Sequence, residues 1–197
     1  APAGVLFDHM ARAKGAPGVG RQPHARGVGG GGFLAERGGS PRRRSPRQRL
    51  HALARVEGKI SDGKPTVLFL CTHNAGRSQM ALGFFTHLAG DNAIAWSGGS
   101  EPGNEINPAA IEAMHEVGID ITGEYPKPWT DEIVQAADVV ITMGCGDACP
   151  IFPGKRYENW ELPDPAGQGL DAVRPIRDDI EERIHRLLTD LNVPITR

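Results

Sequence analysis

Thr66-Val67-Leu68-Phe69-Leu70-Cys71-Thr72-His73-Asn74-Ala75-Gly76-Arg77-Ser78 is the stretch on which the fold turns. Its first five residues form an apolar, β-rich run with no polar alternation, the pattern of a short strand buried on both faces. Beyond it, Met80, Leu82, Phe84, Phe85 and Leu88 recur at helical spacing and predict a helix from Gly76 to Leu88. A strand therefore runs through a short loop into a helix N-terminus. Such a loop turns several backbone N–H groups toward one point, where a tetrahedral oxyanion is held. The cradle comprises Thr72, His73, Asn74, Ala75, Gly76 and Arg77, with His73 contributing its backbone alone. Asn74 and Gly76 tolerate a left-handed backbone. Arg77 offers a planar fork for two oxygens. Cys71 stands in the same positive field, which favours its thiolate, and the Ser78 hydroxyl is placed to donate to it.

Outward from this stretch, strands and helices alternate. Ala93 to Ser97 reads as a second strand. Asn107-Pro108 opens a helix, with Asn as cap and Pro at its first position, running to about Val117 and stopping at Gly118. A short helix follows over Thr130–Ala136, capped by Thr130. Asp138 to Met143 is a third strand and Lys155 to Trp160 a fourth. Leu170 to Leu191 is helical, with Ile176, Ile180, Ile184, Leu187, Leu188 and Leu191 along one face and Pro175 near its start. The pattern predicts an α/β fold of three layers, a four-stranded parallel sheet with helices on both faces. Ligands of such sheets sit at the carboxyl ends of the strands, where Cys71 falls.

The formal net charge of the 197 residues, −2, conceals a split. Residues 1–60 carry 12 Lys+Arg and 3 acids, a net of +9, and 12 of the 26 glycines. Arg42, Arg43, Arg44, Arg47 and Arg49 crowd one short stretch. With little to bury and much backbone entropy to lose, residues 1–60 read as a disordered Gly/Arg/Pro-rich arm, or as an over-long start upstream of the true one. A short amphipathic helix near Arg49–Val56 is its one candidate element. The arm is expected to be dispensable, a chain starting near Ser61 folding and working at full rate. Residues 61–197, net −11, form the folded domain, and an acidic domain disfavours a nucleic-acid partner. No apolar run approaches the ~20 residues of a membrane helix, and no secretory leader is visible. Three cysteines are too few for a disulfide scaffold and point to catalytic or redox thiols in a cytoplasmic chain.

The Cys-x5-Arg-Ser loop between strand and helix resembles that of the low-molecular-weight protein tyrosine phosphatase fold family, over about residues 64–193. The resemblance implies a nucleophile at Cys71, an oxyanion-binding Arg77 and a general acid in an Asp-Pro pair, here Asp164-Pro165. Two branches of the family differ in their thiols. In phosphatases, water hydrolyses the phosphocysteine. In thioredoxin-coupled arsenate reductases a second cysteine releases arsenite and a third carries the disulfide to the surface. Here Cys145 and Cys149 lie just past the third strand, on a segment with Gly144 and Gly146 that leaves the backbone free to refold. Arg77-Ser78-Gln79-Met80 is similar to the Arg-Ser-Gln-Met of the reductases, where tyrosine phosphatases more often have Arg-Ser-Pro. Tyr125 and Tyr157, the only tyrosines, lie outside the Asp-Pro loop, so aromatic walls for phosphotyrosine are missing there.

The resemblance thus implies a cytoplasmic, monomeric arsenate reductase without a cofactor. Its partners are arsenate and either thioredoxin or a low-molecular-weight thiol such as mycothiol. A tyrosine phosphatase is the alternative enzyme, and an oxyanion sensor or RNA-associated protein the alternative class. Cys145 and Cys149 are separated by three residues, fewer than in the best-known thioredoxin-coupled members. Asn74 matches one ligand of the potassium ion that some members hold, but Leu82 stands where an acidic ligand belongs, so no tight potassium site is expected. Nor is zinc, because a Cys-x3-Cys pair without a His pair falls short of four ligands.

Overall fold

The computed structural model describes residues 44–196 apart from 59, 62, 145–148 and 150, with side chains from residue 48 onward. In chain order the elements are α1 (Arg44–Val56), β1 (Thr66–Cys71), α2 (Arg77–Ala89), β2 (Ile94–Gly99), α3 (Pro108–Glu116), α4 (Asp131–Ala136), β3 (Val139–Thr142), β4 (Arg156–Asn159) and α5 (Leu170–Asp190). The four strands pair in parallel in the order β2-β1-β3-β4. The chain leaves β1 toward β2 on one side and returns to β3 on the other. The connections therefore diverge between the carboxyl ends of β1 and β3, the crevice where open α/β sheets take their ligands.

Successive residues of β1 point to opposite faces, and both faces are covered. Val67, Phe69 and Cys71 join Val139, Ile141 and Met143 of β3 and its end in a core closed by α2, α3 and α5. Phe69 meets the rings of Phe85 and Trp160 at centroid separations of 5.7 and 6.0 Å. Leu68, Leu70 and Val140 face the other way, with Trp96, Ile133, Val134 and Ala52. This is the two-period of a strand feeding two cores, and it explains why β1 reads as a continuous apolar run. β4 is different. Its side chains are exposed or half-buried, and Arg156 and Glu158 put charge on an edge that would otherwise invite another strand.

The expected boundary at residue 60 does not hold. Residues 1–43 lie outside the described residues, but α1 is part of the fold. Ala52 is completely buried beneath it, His51 packs edge-on against Trp96 at 5.8 Å, and Arg49 and Arg55 pair with Glu132 and Asp138. Asp138 also accepts from the first N–H of β1, at 2.8 Å. Among the described side chains of α1 only Ala52 is fully buried, so its apolar signal is faint among the arginines. A chain starting at Ser61 should lose this cover and melt about 10 °C lower than the full chain. Ala52→Asp, which forces a charge into the same contact, should do similar damage, and unchanged melting of both would show that α1 adds nothing.

Local starts and stops follow the expected chemistry with one exception. Asn107 caps α3 by accepting from Ala109 N–H, with Pro108 at the first position, and Gly118 beyond the helix end has φ +79°. Thr130 stands at the cap of α4, yet its side chain makes no capping hydrogen bond. No described helix is long and apolar enough to cross a membrane.

Candidate active site

The loop after β1 is built by its carbonyls. Thr72 O accepts from Glu101 N–H at 2.9 Å, His73 O from Gly103 N–H at 2.9 Å and Ala75 O from Asn107 N–H at 2.8 Å. Asn74 O is held by the Gln79 side chain at 3.0 Å, and Gly76 O accepts from Gln79 and Met80 in the first turn of α2. A trans peptide sets each N–H opposite the preceding carbonyl. With the five carbonyls of residues 72–76 tied outward, the N–H groups of residues 73–77 are turned to the inside of the loop. The N-terminus of α2 adds its dipole at the same point.

At the centre lies the Cys71 thiol, buried, with its Sγ 3.0 Å from Ser78 Oγ. Asn74 Nδ2 donates to that hydroxyl oxygen at 2.8 Å. The oxygen is thus occupied as an acceptor, and its own proton is free to point at the sulfur. Asn74 performs this from φ +48°, the left-handed region that Asn tolerates better than most residues. Arg77 is nearly buried. Its guanidinium reaches Leu162 O at 3.4 Å and the Asp164 carboxylate at 3.2 Å. Asp164 is half exposed and also accepts from Ala166 N–H, which fixes the loop that carries it at the mouth. Cys71, Arg77, Asn107 and Asp164 line a small cavity of about 30 Å³. A Cβ added to Gly76 would lie 2.7 Å from the Pro165 ring, so that glycine lets the Asp-Pro loop close over the thiol.

The third strand delivers its own end to this site. Thr72 Oγ1 donates to Gly144 O at 2.9 Å, and a Cβ on Gly144 would sit 2.7 Å from the Arg77 guanidinium. With φ +78° as well, position 144 accepts only glycine without strain. The segment bearing Cys145 and Cys149 therefore leaves the sheet directly beside the loop. Cys145 itself, with Gly146, lies outside the described residues. The Cys149 thiol is half-buried, and it packs against the α1–α4 core, on the face of the sheet opposite that of Cys71. The structure thus brings Cys71, Ser78, Arg77 and Asp164 together and leaves Cys149 apart. No cluster of three or more His, Cys, Asp or Glu able to hold a metal occurs among the described residues. His73 lines the cavity, and its carbonyl is one of those tied outward.

Residues 66–195 match the family of low molecular weight phosphotyrosine protein phosphatases. The chain belongs to that family. Among its relatives in the family, an arsenate reductase of Staphylococcus epidermidis is 41% identical over 130 residues, 64% of this chain and 98% of that protein. One from Staphylococcus haemolyticus is equally similar over the same lengths. Among solved structures, a thioredoxin-dependent arsenate reductase of Corynebacterium glutamicum superimposes with a TM-score of 0.67 at 46% identity, covering 74% of this chain and 71% of that one. An arsenate reductase in its oxidized state does so with a TM-score of 0.58 at 36% identity, covering 64% and 98%.

Three side chains of this phosphatase-family site escape a reading of the sequence. Asn107, legible only as a helix cap, also donates to Pro165 O at 2.8 Å and so ties α3 to the Asp-Pro loop. Gln79, legible only by resemblance, donates to Asn74 O, Asn74 Oδ1 and Tyr125 O, each at 3.0 Å. Lys127 sits fully buried behind the loop. For Asn107 and Lys127 the partner is far away in sequence, and no local pattern announces it.

Proposed function

We propose that this chain reduces arsenate to arsenite by a thiol relay and is re-reduced by thioredoxin. The observation that carries this reading is the meeting of two things at one sheet edge. One is a buried thiol in an oxyanion cradle, and the other is the start of a two-cysteine segment held to that cradle through Thr72 and Gly144. The names of the reductase relatives point the same way.

In this reading the Cys71 thiolate adds to arsenic(V) while the inward N–H groups and Arg77 hold the remaining oxygens. Asp164 protonates a departing oxygen, which leaves as water. Cys145 then attacks the Cys71 sulfur. The S–As bond breaks, its electron pair stays on arsenic, and arsenite departs, leaving a Cys71–Cys145 disulfide. Attack by Cys149 on Cys145 frees Cys71 and yields a Cys145–Cys149 disulfide, which the dithiol of thioredoxin reduces. A low-molecular-weight thiol is the other candidate reductant. Such a relay needs a reducing compartment, and the reading therefore includes a cytoplasmic location.

The deciding assay is arsenate-dependent NADPH oxidation with thioredoxin and thioredoxin reductase, run beside hydrolysis of p-nitrophenyl phosphate. Turnover in the second alone would make the chain a phosphatase. Within the first assay, Asp164→Asn should lower kcat by about 10²–10⁴-fold and leave arsenate affinity largely intact, since Arg77 keeps its place through Leu162. Wild-type turnover in that variant would reduce Asp164 to a turn residue.

A further inference from the structure

Lys127 is the most deeply buried charged residue among those described. It is 2% exposed, and no step of the relay uses it. Its segment, Tyr125-Pro126-Lys127-Pro128, passes behind the oxyanion loop, bonded to β2 through Gly99 N–H donating to Lys127 O at 2.9 Å. The Lys127 N–H donates to Asn74 Oδ1 at 3.0 Å. Its ammonium donates to Tyr125 O at 3.3 Å and to Glu124 Oε2 at 3.3 Å, and lies 5.2 Å from the centre of the Tyr125 ring. Glu124 is half-buried, its side chain 9% exposed. Tyr125 O accepts in addition from Gln79, which holds both oxygens of Asn74. A continuous path of hydrogen bonds thus leads from the ammonium through Tyr125, Gln79, Asn74 and Ser78 to the Cys71 sulfur.

Burying an ammonium is costly, and a protein interior screens its field far less than water does. A group retained there acts on whatever charge lies nearby. We propose that Lys127 is a positioning residue whose buried ammonium, from behind the loop, anchors the Tyr125 carbonyl that Gln79 also binds and strengthens the hold of the loop on an oxyanion, with Glu124 setting how much of that field reaches it. The assignment deepens the oxyanion-binding reading and rests on it.

The two partners act with opposite sign on an anion, and this separates the proposal from a simple packing role. Lys127→Met keeps the backbone bond to Asn74 and most of the side-chain volume but removes the charge. Glu124→Gln keeps the shape and removes the neutralising carboxylate. Binding of inorganic phosphate is read, in the full-length protein, as protection of Cys71 against alkylation by iodoacetamide. Lys127→Met should weaken phosphate about tenfold, and Glu124→Gln should tighten it about threefold, as expected for one charge acting across a poorly screened interior. If both variants weaken phosphate in step with their melting temperatures, or if neither changes it, the assignment is overturned. Absence of protection in the wild-type protein would remove the oxyanion reading and the assignment together. Protection with the predicted opposite shifts, but no arsenate turnover, would uphold the assignment and reject the reductase.

Discussion

Cys71→Ser should abolish arsenate reduction, lowering kcat by about 10⁴-fold or more, because the proposed relay makes this residue the nucleophile on which the later steps depend. The cradle should survive the change. The hydroxyl of serine fits where the thiol lies against Ser78, and none of the outward-tied carbonyls depends on sulfur. Melting temperature should therefore stay near wild type while activity disappears, and the two measured together distinguish lost chemistry from lost fold. Arsenite production by this variant at a measurable fraction of the normal rate would sink the mechanism. Arg77→Lys is the companion test. A lysine cannot reproduce a fork that reaches Leu162 O on one side and Asp164 on the other, so affinity and rate should both fall.

The second large effect is an asymmetry between the two remaining thiols. Cys145→Ser should release no arsenite without an added small thiol, because the proposed relay assigns the attack on the Cys71 sulfur to Cys145. Cys149→Ser should release about one arsenite per chain and stop, trapped as a Cys71–Cys145 disulfide that peptide mapping under non-reducing conditions identifies. The position of Cys149 against the α1–α4 core makes this test sharp, because that thiol cannot substitute for Cys145 without first leaving its packing. Continued turnover with thioredoxin in Cys149→Ser would refute the relay in favour of direct attack by an external thiol.

What was legible in the sequence was local. β1, the loop and α2 follow one another without interruption, so periodicity, the Cys-x5-Arg spacing and the helix N-terminus could be read together, and a parallel sheet follows from the alternating elements, whereas its order β2-β1-β3-β4 is set by pairings between distant segments. What stayed hidden depends on distant partners or on weak patterns. α1 is an arginine-rich helix in which Ala52 alone is fully buried among the described side chains, so composition spoke for a solvated arm. Asn107 does two jobs with one amide, and only the cap is visible within its own helix. A lysine between two prolines has the look of an exposed turn. Its burial comes from β2 and the oxyanion loop, which meet it across the fold.

The sheet lies between the two described thiols, with Cys71 facing one core and Cys149 the other. In the proposed cycle it works as a wall that the disulfide must get round at the carboxyl ends of β1 and β3. Arsenate enters and arsenite leaves on one side of that wall, while reducing equivalents arrive from the other. The protein reductant therefore has no reason to approach the anion cradle, and the two substrates should not compete. Saturating arsenate should leave the apparent KM for thioredoxin free of competitive inhibition, and phosphate should compete with arsenate alone.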